Sequence, residues 1–107
     1  FSYSPIASEE VSGDNQTAVD NLAALDVFFE EYPEYRANPF YVAGESYGGV
    51  YVPTLAQKIY EAGAAFGGTM RGYLVGNGVF DSKEALPTHA QMAIGHGFVS
   101  AQMSTDV

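Results

Sequence analysis

The chain has 107 residues, enough for one small domain, and contains no cysteine, so no disulfide forms within it. It is 47% hydrophobic and 16% charged, the balance of a globular chain and not of a disordered one. With 13 acidic against 4 basic residues the net charge is −9, which argues against nucleic acid or an anionic membrane as a partner, and no apolar run approaches the length of a membrane span.

In chain order, Phe1 to Ile6 is apolar and aromatic and reads as a strand end closed by Pro5, followed by a polar loop from Ala7 to Gly13. Ala18, Leu22, Leu25, Phe29 and Tyr32 recur at spacings of three and four, the apolar face of an amphipathic helix that Pro33 ends. Asp14 or Asn15 supplies its N-cap. Asn15-Gln16-Thr17 is also an N-glycosylation sequon, so Asn15 either carries a glycan or serves as the cap. Pro39 to Ala43 is the next strand, and its continuous run Phe40-Tyr41-Val42 suits a central strand of a parallel sheet, buried on both faces. Gly48 to Ala64 reads as a helix with Val52, Leu55, Ala56 and Ile59 on one face and Pro53 in its early part. Gly63 and Gly67-Gly68 close it. Arg71 to Val75 is a further strand, which completes a βαβ unit, and Gly76-Asn77-Gly78 turns at its carboxyl end. Crevices at the carboxyl ends of parallel strands are where α/β proteins bind ligands. Residues 83–107, with Pro87, His89 and His96, read as the helical start of an insertion on a core spanning residues 1–82.

The most informative stretch is Gly44-Glu45-Ser46-Tyr47-Gly48, a G-x-S-x-G element between a strand and a helix. A serine hydroxyl is a weak nucleophile, so it has to be presented on a sharp turn where a base reaches it. Gly44 and Gly48 are expected where a Cβ would clash. The N–H groups at the start of the following helix favour negative charge on a tetrahedral intermediate. Ser46 is therefore the candidate nucleophile and the Tyr47 backbone N–H a candidate oxyanion donor.

Gly44-Glu45-Ser46-Tyr47-Gly48-Gly49 followed by Tyr51-Val52-Pro53 resembles the active-site segment of the serine carboxypeptidases. Phe1-Ser2-Tyr3-Ser4, Phe29-Glu30-Glu31-Tyr32-Pro33-Glu34-Tyr35, Val75-Gly76-Asn77-Gly78-Val79 with Asp81, and His96-Gly97-Phe98-Val99-Ser100 resemble further segments of that family in the same order. The resemblance implies an α/β-hydrolase fold, of which this chain holds too few strands. Because it also opens on Phe1 instead of Met, we read it as an internal piece of a longer protein. It implies a peptide with a free C-terminus as substrate, no cofactor, and a secreted, vacuolar or lysosomal location. By residue composition alone Glu45 is a solvated or locally paired acid; the resemblance makes it the group that binds the substrate's terminal carboxylate. Two carboxyl groups coexist closely by sharing a proton, so peptidase activity is expected to be strongest at acidic pH. The resemblance likewise assigns Tyr47 and Val79 to the pocket for the residue before the scissile bond, positions that core packing alone would also explain.

His89 and His96 follow the elbow too soon to be the base, since the acid and then the histidine come after the serine in these folds, and Asp81 is no better as the acid. The catalytic acid and histidine are expected outside the chain. Two histidines without a tight carboxylate cluster give no metal site, and Asp81 stands where a dinucleotide motif needs its third glycine. Two other readings compete: an esterase or lipase using the same elbow, and a non-catalytic truncated homologue acting as a binding piece.

Overall fold

The computed structural model describes residues 3–6, 8, 10–63, 66–100 and 102. Phe1, Ser2, Ala7, Ala64 and the end of the expected insertion lie outside them. Helix α1 spans Asp14–Glu31, strand β1 Pro39–Glu45, helix α2 Gly48–Ala62, strand β2 Thr69–Gly76 and helix α3 Ser82–Gly95. A short 3-10 turn over Pro33–Tyr35 links α1 to β1.

β1 and β2 pair in parallel across α2, from Pro39 opposite Thr69 to Glu45 opposite Gly76, with one irregularity between Phe40 and Tyr41. The two strands therefore end side by side, and the turns that leave them meet at one point. α2 is the helix between them and packs against both strands and against α1. Val52, Leu55, Ala56 and Ile59 are all buried, as their spacing predicts. Phe29 from α1, Leu55 and Ile59 from α2 and Phe66 form the core, flanked by Leu22, Leu25, Phe40, Val42 and Met70. The rings of Phe29, Phe40 and Phe66 touch one another, with centroids 5.4 to 5.9 Å apart. The buried rings, Phe29 and Phe66, contribute roughly 1.5–3 kcal/mol each.

Several expectations change. Tyr3 to Ile6 form no strand. Neither Asp14 nor Asn15 caps α1: the N-cap is Gly13, at φ 137°, without a side-chain bond. Glycine alone takes that entry angle readily, so the helix begins one residue early and the Asp14 carboxylate falls in its first turn. β1 runs two residues further than expected, to Glu45, and is not buried on both faces. Phe40, Val42 and Gly44 face the helices, while Tyr41, Ala43 and Glu45 are exposed, because no described element covers the second face. Tyr32 is likewise exposed, beyond the reach of the core. Of the segment after residue 81, Ser82–Gly95 form one helix, α3, with Pro87 inside it. Among the described residues α3 makes no close backbone contact with another helix or strand.

Candidate active site

Ser46 sits between the end of β1 and the start of α2 with φ 58°, in the left-handed region. A residue with a Cβ pays about 1–2 kcal/mol there, so the surrounding structure has to impose it. Three backbone hydrogen bonds do so. The Ser46 N–H donates to the Gly76 carbonyl at 3.1 Å, and the Ser46 carbonyl accepts from Gly49 at 3.0 Å and from Val79 at 2.8 Å. The elbow is thus tied both to its own helix and to the turn leaving β2. Asn77 in that turn also has positive φ, 46°, as its place beside Gly78 suggests.

The glycines answer to this contact. At Gly44 a Cβ would lie 2.8 Å from the Val52 side chain and 3.2 Å from Gly48 Cα, as expected. At Gly48 it would meet nothing closer than 3.9 Å. The glycine the elbow requires on its helical side is Gly49 instead, where a Cβ would lie 2.2 Å from the Val79 carbonyl oxygen. The sequence carried a signal for this in the doubled Gly48-Gly49, but its partner, the backbone of Val79, is 30 residues away and only the fold brings it near.

Ser46 is exposed and lies where two clefts meet. One, of about 430 Å³, is lined by Asn21, Glu45, Ser46, Tyr47 and Tyr51 among others. The second, of about 490 Å³, includes Ser46, Asn77, Val79, Asp81, Thr88 and His89. Glu45 and Tyr47 therefore share one side of the serine, whereas Val79 stands on the other. The backbone bonds of the turn are donated by Ser46, Gly49, Val50, Tyr51 and Val79, which leaves the Tyr47 N–H outside that ladder. The Tyr47 side chain is 45% exposed, its ring lies edge-on to Tyr51 with centroids 4.9 Å apart, and its hydroxyl donates to Asp14. The Asp14 charge, with lesser effects of desolvation, that hydrogen bond and Tyr51, raises the Tyr47 phenol above its ordinary value.

Asp81 and His96 both have places at the ends of α3. Asp81 is the N-cap of α3 and accepts from the Lys83 N–H at 2.8 Å. His96 closes the same helix. Gly97 N–H donates to Ile94 and Phe98 N–H to Ala93, with Gly97 at φ 72°, the paired bonds of a Schellman C-terminus. The His96 ring stacks on Phe98. His89 shares the second cleft with Ser46, but among the described residues no hydrogen bond joins Ser46 to either histidine. Asn15 is exposed on the first turn of α1.

A serine at positive φ between a parallel strand and a helix has the backbone geometry of the nucleophile elbow of the α/β-hydrolases. The serine carboxypeptidase family profile matches residues 1–107, and the chain belongs to that family, whose fold is the α/β-hydrolase. It is 43% identical over 110 residues to serine carboxypeptidase-like 20 of Arabidopsis thaliana, covering all of this chain and 22% of that relative. It is 42% identical to serine carboxypeptidase 1 of Hordeum vulgare, over 96% of this chain and 21% of the relative. Serine carboxypeptidase 24 of Arabidopsis thaliana is 44% identical over 78% of this chain and 19% of its own length. The chain thus spans about a fifth of the length of these relatives.

Proposed function

We propose that the protein containing this chain is a serine-type carboxypeptidase. Ser46 Oγ attacks the carbonyl carbon of the last peptide bond, a general base takes its proton, and the proton passes to the departing amine. Water then hydrolyses the Ser46 acyl-enzyme. The Tyr47 N–H serves as one oxyanion donor, and the histidine, the acid and the second donor come from segments outside residues 1–107. Glu45 holds the terminal carboxylate through a shared proton, and Tyr47 and Val79 contact the residue before the scissile bond from opposite sides of the serine. Residues 83–107 begin an insertion, for which the separation of α3 from the other elements speaks. No helix among the described residues is long and apolar enough to cross a membrane. Family membership supports a secreted, vacuolar or lysosomal location, and Asn15, exposed in its sequon, is the candidate glycosylation site.

The observation that carries this reading is Ser46 at φ 58°, exposed and pinned by the carbonyl of Gly76 and the N–H groups of Gly49 and Val79. The test is to treat the full-length protein with a fluorophosphonate and map the adduct, alongside cleavage of an N-blocked dipeptide with a free or an amidated C-terminus. An adduct on Ser46 and cleavage of the free acid alone are expected. Equal cleavage of both peptides would favour the esterase-like reading. No adduct and no cleavage would favour the non-catalytic one.

A further inference from the structure

The Tyr47 hydroxyl lies 3.3 Å from both carboxylate oxygens of Asp14. The two residues are 33 positions apart, on the far side of Ser46 and at the first turn of α1. Without such a tether an exposed tyrosine samples several χ1 rotamers. Here the side chain has two neighbours, Asp14 at its hydroxyl and the Tyr51 ring, whose centroid is 4.9 Å from its own. Asp14 is the first residue of α1, directly after the Gly13 cap.

We infer that Asp14 is a positioning residue for the candidate active site: its carboxylate clamps the Tyr47 side chain as a fixed wall of the cleft beside Ser46. Asp14 touches neither the serine nor the substrate in this scheme and acts through Tyr47. The inference rests on the proposed peptidase function for its effect on substrate, but the clamp itself is a property of the two side chains.

Two measurements on the full-length protein separate these levels. The first is ultraviolet titration of Tyr47, isolated as the difference between wild type and Tyr47→Phe. The titratable side chains acting on this phenol are Asp14 from α1 and Tyr51 from α2. Since the raised phenol stays protonated in the fold, its contribution to stability is present below the ordinary phenol value, about 10, and is lost as pH rises through its own midpoint. Asp14→Asn should lower that midpoint toward the ordinary value, and an unchanged midpoint would overturn the clamp. The second is steady-state kinetics on blocked dipeptides with different penultimate side chains. Asp14→Ala should lower kcat/KM by about threefold to tenfold, the range of one net hydrogen bond, mainly through KM and unequally among side chains. Asp14→Asn, which keeps an acceptor oxygen, should recover most of it. In the double variant with Tyr47→Phe the losses should not multiply. Losses that multiply, or fall equally on every substrate, would overturn the positioning role. A wild-type protein that cleaves no peptide would sink the peptidase reading, while the titration would still decide the clamp.

Discussion

The backbone N–H of Val79 donates to the carbonyl of Ser46 at 2.8 Å, across the gap between the ends of two parallel strands. This bond is possible because Gly49, the second residue of α2, lies flat against the Val79 peptide. The turn after β2 and the turn after β1 are therefore one structural unit. The strained serine conformation depends on residues far away in sequence, and disturbing the seat at Gly49 should disturb Ser46 without touching it.

Gly49→Ala places a methyl group against backbone atoms that cannot rotate away, the nearest 2.2 Å from the ideal Cβ position. Overpacking of this kind costs about 1–3 kcal/mol, and the shift opens the Val79–Ser46 bond. In the full-length protein we expect a lower midpoint in chemical denaturation together with a fluorophosphonate labelling rate at least tenfold lower. Gly95→Ala is the control, because a Cβ there meets nothing within 4 Å. Labelling that survives in the folded Gly49→Ala variant would show that the two turns are not coupled.

At Ser46 itself, backbone strain and chemistry separate. Ser46→Ala removes the proposed nucleophile but keeps a Cβ at φ 58°, whereas Ser46→Gly removes both. Relief of the left-handed strain, about 1–2 kcal/mol, exceeds the roughly 0.5–1 kcal/mol that glycine costs through the unfolded chain. Both variants should be inactive, and the glycine variant should melt at the higher temperature. The reverse order would mean that the elbow is not strained in solution.

Glu45→Gln distinguishes the peptidase from an esterase with the same elbow. Glu45 is exposed in the cleft with Ser46 and Tyr47, so a terminal carboxylate bound there meets it directly. The glutamine amide still donates to a carboxylate but cannot share a proton with it, so on the proposed reading kcat/KM on peptides should fall selectively, while hydrolysis of a small uncharged ester changes little. With wild type, activity on peptides should fall as pH rises and the shared proton is lost, since two ionised carboxylates repel. Peptidase activity that climbs through neutral pH would refute this role.

Local pattern was enough to show the strand, turn and helix around Ser46, because each obeys its own periodicity or turn chemistry. The spacing of Val52, Leu55, Ala56 and Ile59 sufficed for the buried face of α2. What stayed hidden depends on pairs distant in sequence. Nothing near Asp14 indicates that its carboxylate reaches Tyr47 instead of capping α1, and nothing near Gly49 indicates that Val79 is its neighbour. For β1, Phe40, Tyr41 and Val42 are all apolar, and among the described residues helices cover one of its faces. His96 shows the opposite case, where a tempting residue type has an ordinary local place, at the end of a helix.

That helix supplies the last prediction. α3 frames the second cleft through Ala85, Thr88 and His89, yet it makes no close backbone contact with another helix or strand among the described residues. Its ends therefore matter more than they would in a packed helix. Asp81 bonds the Lys83 N–H at 2.8 Å, and Gly97 at φ 72° completes the C-terminal cap. Asp81→Ala removes the N-cap, at a cost of about 0.5–2 kcal/mol; Gly97→Ala forces a Cβ into the left-handed region, at about 1–2 kcal/mol. Hydrogen exchange on the full-length protein should speed up across residues 85–95 in both variants and leave α2 unchanged. If the exchange of α3 does not respond, packing from outside residues 1–107 holds the helix and its caps are secondary. If α2 speeds up as well, the two sides of the Ser46 cleft open together, and the elbow depends on α3 as it does on Val79.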